Sequence, residues 1–175
     1  TIEKNACTAW SAVLHKILNN DTSWNEPDYG IGQRSFDPKN AELVFNDPTT
    51  VRAVMIRDPL ARFASAFMDK CTAGNCGDDH CEMRQELGKP VSFESAVEWM
   101  LQQDPSTLDG HWRLQSYHCE LHKRVREYSV IGYMTKDTLG TDAACILDRA
   151  GLGSFNTRGG ATGDAFWHGS SMHNL

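Results

Sequence analysis

The sequence predicts an α/β protein, a parallel sheet flanked by helices. Two short runs rich in apolar and β-branched residues, 51–56 and 128–134, read as buried strands. Each is followed by a stretch with helical periodicity, and a further helix precedes the first. Strands that alternate with helices in this way pair in parallel through crossovers. At 175 residues the chain suits one domain, 1–175, with a real core.

The elements follow in order. Residues 9–19, "AWSAVLHKILN", place Trp10, Val13, Leu14, Ile17 and Leu18 on one helical face. Residues 20–40 are rich in Asn, Asp, Gly and Pro and read as an irregular loop crossed at most by a short strand. The strand 51–56 ends at Arg57, because Pro59 cannot continue a central strand. Pro59 suits the first turn of a helix, Asp58 suits its N-cap, and Leu60, Phe63, Ala64, Phe67 and Met68 form the stripe. Residues 71–89 are a Cys- and Gly-containing insertion. "SFESAVEWMLQQ" reads as a helix capped by Ser92, with Phe93, Ala96, Val97, Met100 and Leu101 inward. "YSVIGYM" is the second strand, and residues 135–153 form a helix ended by Gly151 or Gly153. There is no internal repeat and no low-complexity tract.

Composition narrows the function classes. The chain is 40% hydrophobic and 23% charged, as in ordinary globular proteins. A net charge of −6 argues against a nucleic-acid binder, though a local basic pocket for a small anion remains compatible with it. No run reaches the length of a membrane span. Six cysteines, three of them Cys71, Cys76 and Cys81 with Cys119 further on, suit an oxidising compartment and disulfides. A zinc site from Cys71, Cys76, His80 and Cys81 is the competing reading, weakened by spacings that form no clean CxxC pairs.

Two segments point to a bound anion. Arg57 sits at the carboxyl end of a buried strand and beside a helix start, the edge where open α/β sheets bind ligands and where a guanidinium suits phosphate. "TIEKNACTAW" runs into the first helix with small residues Ala6, Cys7 and Thr8, whose amides can approach an anion, and Lys4 adds a point charge. The glycines of the nucleotide-kinase P-loop are missing, which disfavours a kinase.

Taken together, these segments resemble the Golgi carbohydrate sulfotransferases. "EKNACTAW" is similar to that family's 5'-phosphosulfate loop, "PKxGCTxW", and "VMIRDPLARFASAFMDK" to its 3'-phosphate segment, "RxPxxRxxSAYxxK". "LDGHWRLQSYHC" resembles its "HWxxxxxLC", "YSVIGY" its "YDxVGK", and "ILDRAGLGSF" its "LQLAGVGSY". The order is kept across nearly the whole chain, in the manner of the chondroitin, dermatan and HNK-1 type enzymes.

The resemblance implies a P-loop-like parallel sheet flanked by helices and an enzyme that uses 3'-phosphoadenosine 5'-phosphosulfate (PAPS). It transfers a sulfuryl group to a hydroxyl of a carbohydrate or similar acceptor and releases adenosine 3',5'-bisphosphate (PAP). By resemblance Arg57 and Ser65 hold the 3'-phosphate, while Lys4, Asn5, Ala6, Cys7 and Thr8 hold the 5'-phosphosulfate. Lys4 also steadies the leaving nucleotide. Arg62 is read as a solvated helix residue rather than a ligand. The family's chemistry requires no metal, and its members work in the Golgi lumen or secretory pathway, with any membrane anchor outside this sequence.

The acceptor's base is expected at Glu26 of "NEPDYG", similar to a glutamate-proline pair of some Golgi sulfotransferases; Asp28 falls where the chondroitin type has a histidine. His111 of "HW" is the rival, since imidazole suits the task at neutral pH. "NTRGGATGDAFWHG" superficially resembles the "RKGxxGDW" phosphate loop of cytosolic sulfotransferases, with Arg158 in place, against the alternative of a Gly-rich surface loop. Departures are the family's glycine as Ala6, its proline as Glu3, and its "GKxE" as Gly132-Tyr133-Met134-Thr135. The family's leading strand and C-terminal helix are not found, so the sequence is expected to be a core truncated at both ends. The reading from another class is a non-catalytic, cysteine-stapled binding domain on the same fold.

Overall fold

The computed structural model describes residue 2 and residues 5–23, 38–72, 82–88 and 90–156. They form helices and a two-stranded parallel sheet, the α/β class expected from the strand–helix alternation. The chain divides into two compact units, one drawn from residues 5–56 and from 124 onward, the other from residues 57–123.

In the first unit, α1 (Cys7–Asn19) turns Val13 into the core, with Trp10 and Ile17 beside it, while Leu18 of the expected stripe is exposed. It ends on Asn20 in the left-handed region, where the Asp21 amide donates to the Lys16 carbonyl and the Asn20 amide to that of Ile17. α2 (Pro38–Asn46) corrects the expectation of a loop as far as residue 40. Its proline occupies the first turn, and its large apolar residues, Leu43, Val44 and Phe45, are consecutive rather than spaced at a helical period, with Leu43 exposed. β1 (Ala53–Ile56) and β2 (Val130–Tyr133) pair with Met55 opposite Gly132. A Cβ at Gly132 would collide with the Met55 sulfur, which explains the glycine. α6 (Leu139–Arg149), numbered after the three helices of the other unit below, starts later than expected and packs Leu139, Ala143, Ile146 and Leu147 on Val13 and Met55. Gly151 then terminates it at φ 70°, as the sequence predicts.

In the second unit, α3 (Pro59–Phe67) begins as expected, with the Ala61 amide donating to Asp58 Oδ1 at 2.8 Å. It runs on through one turn of π-helix, Met68–Thr72. α4 (Glu82–Leu87) lies within the insertion, where no helix was expected. α5 (Phe93–Gln102) is capped by Ser92, whose Oγ accepts the Ser95 amide at 3.1 Å. Ala66, Phe67, Cys71, Met83, Val91, Ala96, Trp99, Leu108 and Trp112 form the core of this unit, and Phe63 meets Trp112 edge-on at 5.8 Å. Leu60 and Leu101, expected in the stripes of α3 and α5, face outward instead. No disulfide joins two described residues; Cys76, His80 and Cys81 lie outside them.

Candidate functional site

The loop that opens α1 is anchored from inside. Asn5 is buried, and its Nδ2 donates to the Met55 carbonyl of β1 at 2.8 Å. Ala6 follows with φ 59° and ψ 31°, a left-handed conformation that turns the chain sharply into the helix. Ala6 offers no side-chain acceptor, so the first-turn amides of α1 receive no side-chain cap. Such amides carry the positive end of the helix dipole. Cys7 is half-buried and Thr8 exposed at this end.

In the second unit, Arg57 comes immediately after Ile56, the last residue of β1, and immediately before the Asp58 cap. The side chain of Gln115 clamps its backbone: the Arg57 amide donates to Gln115 Oε1 at 3.1 Å, and Gln115 Nε2 donates to the Arg57 carbonyl at 2.6 Å. Burial pushes the Arg57 guanidinium below its ordinary pKa, partly countered by Asp58. A partly desolvated cation gains from an anionic partner. Ser65 lies half-buried on α3, about two helical turns after Arg57.

A cavity of about 280 Å³ lies in the same unit, lined by Pro59, Arg62 and Phe63 of α3, Met100 of α5, and residues 111, 112 and 114–116. His111 and Trp112 part company here. Trp112 is buried in the core, whereas His111 is half-buried on the cavity wall. Asp109 holds His111 twice, with Oδ1 2.6 Å from ring Nδ1 and 3.0 Å from the backbone amide. The His111 ring bond, more than the other contacts, holds the Asp109 carboxyl well below the usual carboxylate range.

Arg62 corrects the expectation of a solvated residue. It is 5% exposed, and its Nη1 and Nη2 donate to the carbonyls of Arg113 and Gly110, each at 2.7 Å. The planar fork of the guanidinium suits two divergent carbonyls, and so braces the turn that carries His111.

With this geometry in view, the comparison with known proteins is direct: the family model described as "Sulfotransferase family" matches residues 1–157. The chain belongs to the sulfotransferase family. Human carbohydrate sulfotransferase 9 is 26% identical over 172 aligned residues, covering 86% of this chain and 38% of that protein. The chain thus spans well under half the length of this curated relative. No solved structure matches it. The likeness to carbohydrate sulfotransferases carried by the five ordered motifs agrees with both matches.

Against the sulfotransferase motifs, the described site residues fall into two groups. Asn5, Ala6, Cys7 and Thr8 form the loop and first turn of α1, while Arg57, Ser65 and His111 belong to the other unit. Lys4, Glu26 and Arg158 lie outside the described residues. The departure from "GKxE" spans the last two residues of β2 and the start of the turn that follows. Thr138 donates from its amide to Thr135 Oγ1 at 3.0 Å and from its hydroxyl to the Tyr133 carbonyl at 2.8 Å, closing the turn into α6. Sequence reasoning missed Asp109, Gln115 and the bracing role of Arg62. Only Asp109 carried a signal, since an Asp two residues before a histidine in "LDGHW" is a local turn signature.

Proposed function

We propose that the chain is the catalytic part of a PAPS-dependent sulfotransferase acting on a carbohydrate hydroxyl in the Golgi lumen or secretory pathway. The observation that carries this reading is Arg57, a half-buried guanidinium fixed by its backbone at the end of β1, within the segment similar to the family's 3'-phosphate motif. In this reading Arg57 and Ser65 hold the 3'-phosphate of PAPS. Lys4 and the amides around Ala6, Cys7 and Thr8 hold the 5'-phosphosulfate.

The acceptor oxygen attacks sulfur in line as the bond to the bridging phosphate oxygen breaks. The electron pair leaves with PAP, where Lys4 and the loop amides balance the developing charge. The acceptor proton passes to a base. His111 is the better supported base, because it stands on a cavity wall with a carboxylate on its other nitrogen, the arrangement of a general base. Glu26 is the alternative base.

Calorimetry of PAP binding to the full chain tests the nucleotide reading. Binding is expected, and Arg57→Ala is expected to weaken it by on the order of 2–4 kcal/mol, the scale for a lost charge-assisted contact. Unchanged affinity in that variant would remove Arg57 from the site. Turnover with PAPS and a panel of glycan acceptors decides the base. Loss in His111→Ala with retention in Glu26→Gln assigns His111, and the reverse assigns Glu26.

A further inference from the structure

We infer that Asp109 is a positioning residue that fixes the His111 imidazole with its proton on Nδ1 and its basic lone pair on Nε2. This rests on the reading of His111 as the acceptor's base.

The hydrogen bond has a fixed polarity. Asp109 Oδ1 and His111 Nδ1 are 2.6 Å apart, so one of them carries the shared proton. Asp109 remains ionised well below neutral pH, and an ionised carboxylate can only accept. The donor is therefore Nδ1–H, and a neutral ring protonated there is basic at Nε2. That nitrogen takes the acceptor's proton as the O–S bond forms and the bond from sulfur to PAP breaks. The imidazolium that results keeps its Nδ1–H on Asp109, which stabilises the new charge.

Asp109 also has a plain local task. Its carbonyl accepts the amides of Trp112 at 2.9 Å and Arg113 at 2.8 Å, and its carboxylate accepts the His111 amide, so it caps the turn 109–113. A capping residue alone would be served equally by asparagine or serine. Fixing a tautomer needs the carboxylate, because an asparagine amide can donate as well as accept.

The experiment uses the full chain labelled with ¹⁵N, and Asp109→Asn and Asp109→Ser as variants that keep a cap. Long-range ¹H–¹⁵N spectra of the imidazole nitrogens are expected to show the Nδ1–H tautomer for His111 in the parent and a shift towards Nε2–H in both variants. Turnover is expected to fall by roughly 10²–10⁴-fold in the variants, with PAP affinity kept. A parent ring in the Nε2–H form, or variants that keep Nδ1–H, would overturn the inference. If the tautomer shifts as expected but His111→Ala retains turnover, the positioning stands and the reading of His111 as base falls.

Discussion

Gln115 grips the backbone of Arg57 from both sides, accepting its amide at 3.1 Å and donating to its carbonyl at 2.6 Å. The strand has ended one residue earlier, at Ile56, so a side-chain amide takes the place of a neighbouring strand. The backbone that carries the guanidinium is thereby held just past the end of β1.

Gln115→Ala is therefore expected to weaken recognition of the 3'-phosphate specifically. The preference for PAP over adenosine 5'-monophosphate should shrink by about tenfold, the scale of one to two lost hydrogen bonds. Calorimetry with both nucleotides on the same variant checks this. An equal loss for both would show that Gln115 supports the fold rather than Arg57.

Arg62→Met should destabilise the protein by about 2–4 kcal/mol, because it leaves the Gly110 and Arg113 carbonyls without their charged donors while keeping the apolar stem. Arg62→Lys should recover only part of this, since an ammonium lacks the fork that reaches both carbonyls. Urea denaturation measures the series. A shift under about 0.5 kcal/mol for Met, the size of an ordinary surface change, would restore the solvated reading.

Local features of this chain were legible in its sequence. The Asp58 and Ser92 caps, the Gly151 terminus and the two strands are short-range matters of rotamer, backbone and period, and they fall where expected, within two residues for the strands. α2 was not legible because its large apolar residues, Leu43, Val44 and Phe45, are consecutive rather than spaced at a helical period, and its proline suits a loop as well as a first turn. Arg62 looked solvated because a charged residue is usually exposed. What buries it is a pair of carbonyls 48 and 51 residues away, which no local pattern announces. Gln115, reaching across 58 residues to a backbone, is illegible for the same reason. The candidate anion-binding segments drew their weight from the resemblance, since residue types near Ala6 and Arg57 are also compatible with ordinary helix starts.

Ala6 stands where the resembling family has glycine, and its φ of 59° says why glycine suits the place. A Cβ in the left-handed region costs about 1–2 kcal/mol, and glycine's greater freedom in the unfolded chain offsets part of the relief. Ala6→Gly is expected to stabilise the chain by about 0.5–1 kcal/mol in thermal or urea unfolding, with PAP affinity kept or improved. A destabilised variant would mean that the turn depends on the alanine methyl.

Cysteine chemistry gives a prediction independent of the nucleotide. At least two of Cys71, Cys76, Cys81 and Cys119 are expected to be disulfide-bonded in protein made in an oxidising compartment, since three of them crowd into one insertion. Cys7 and Cys145 are free thiols and should be alkylated without reductant. Intact mass after alkylation reads the outcome. Six alkylated cysteines, or a bound zinc, would reject the pairing.

The Asp109–His111 contact also predicts how stability responds to acid. In the unfolded chain Asp109 titrates near the ordinary aspartate value of about 3.9, whereas its folded value is depressed. A depressed carboxyl contributes stability that is fully present above the unfolded value and disappears as pH falls through the folded one. Between pH 5 and pH 3 the Asp109 carboxyl takes up its proton in the unfolded chain, while the depressed carboxyl of the folded protein stays ionised. The parent should therefore lose stability over this interval faster than Asp109→Asn, whose side chain does not titrate. Urea denaturation of both proteins at steps from pH 5 to pH 3 measures the gap between them, which should narrow as the solution becomes more acidic. A gap that stays constant or widens would show that the Asp109 carboxylate gains nothing from the His111 ring in the folded protein.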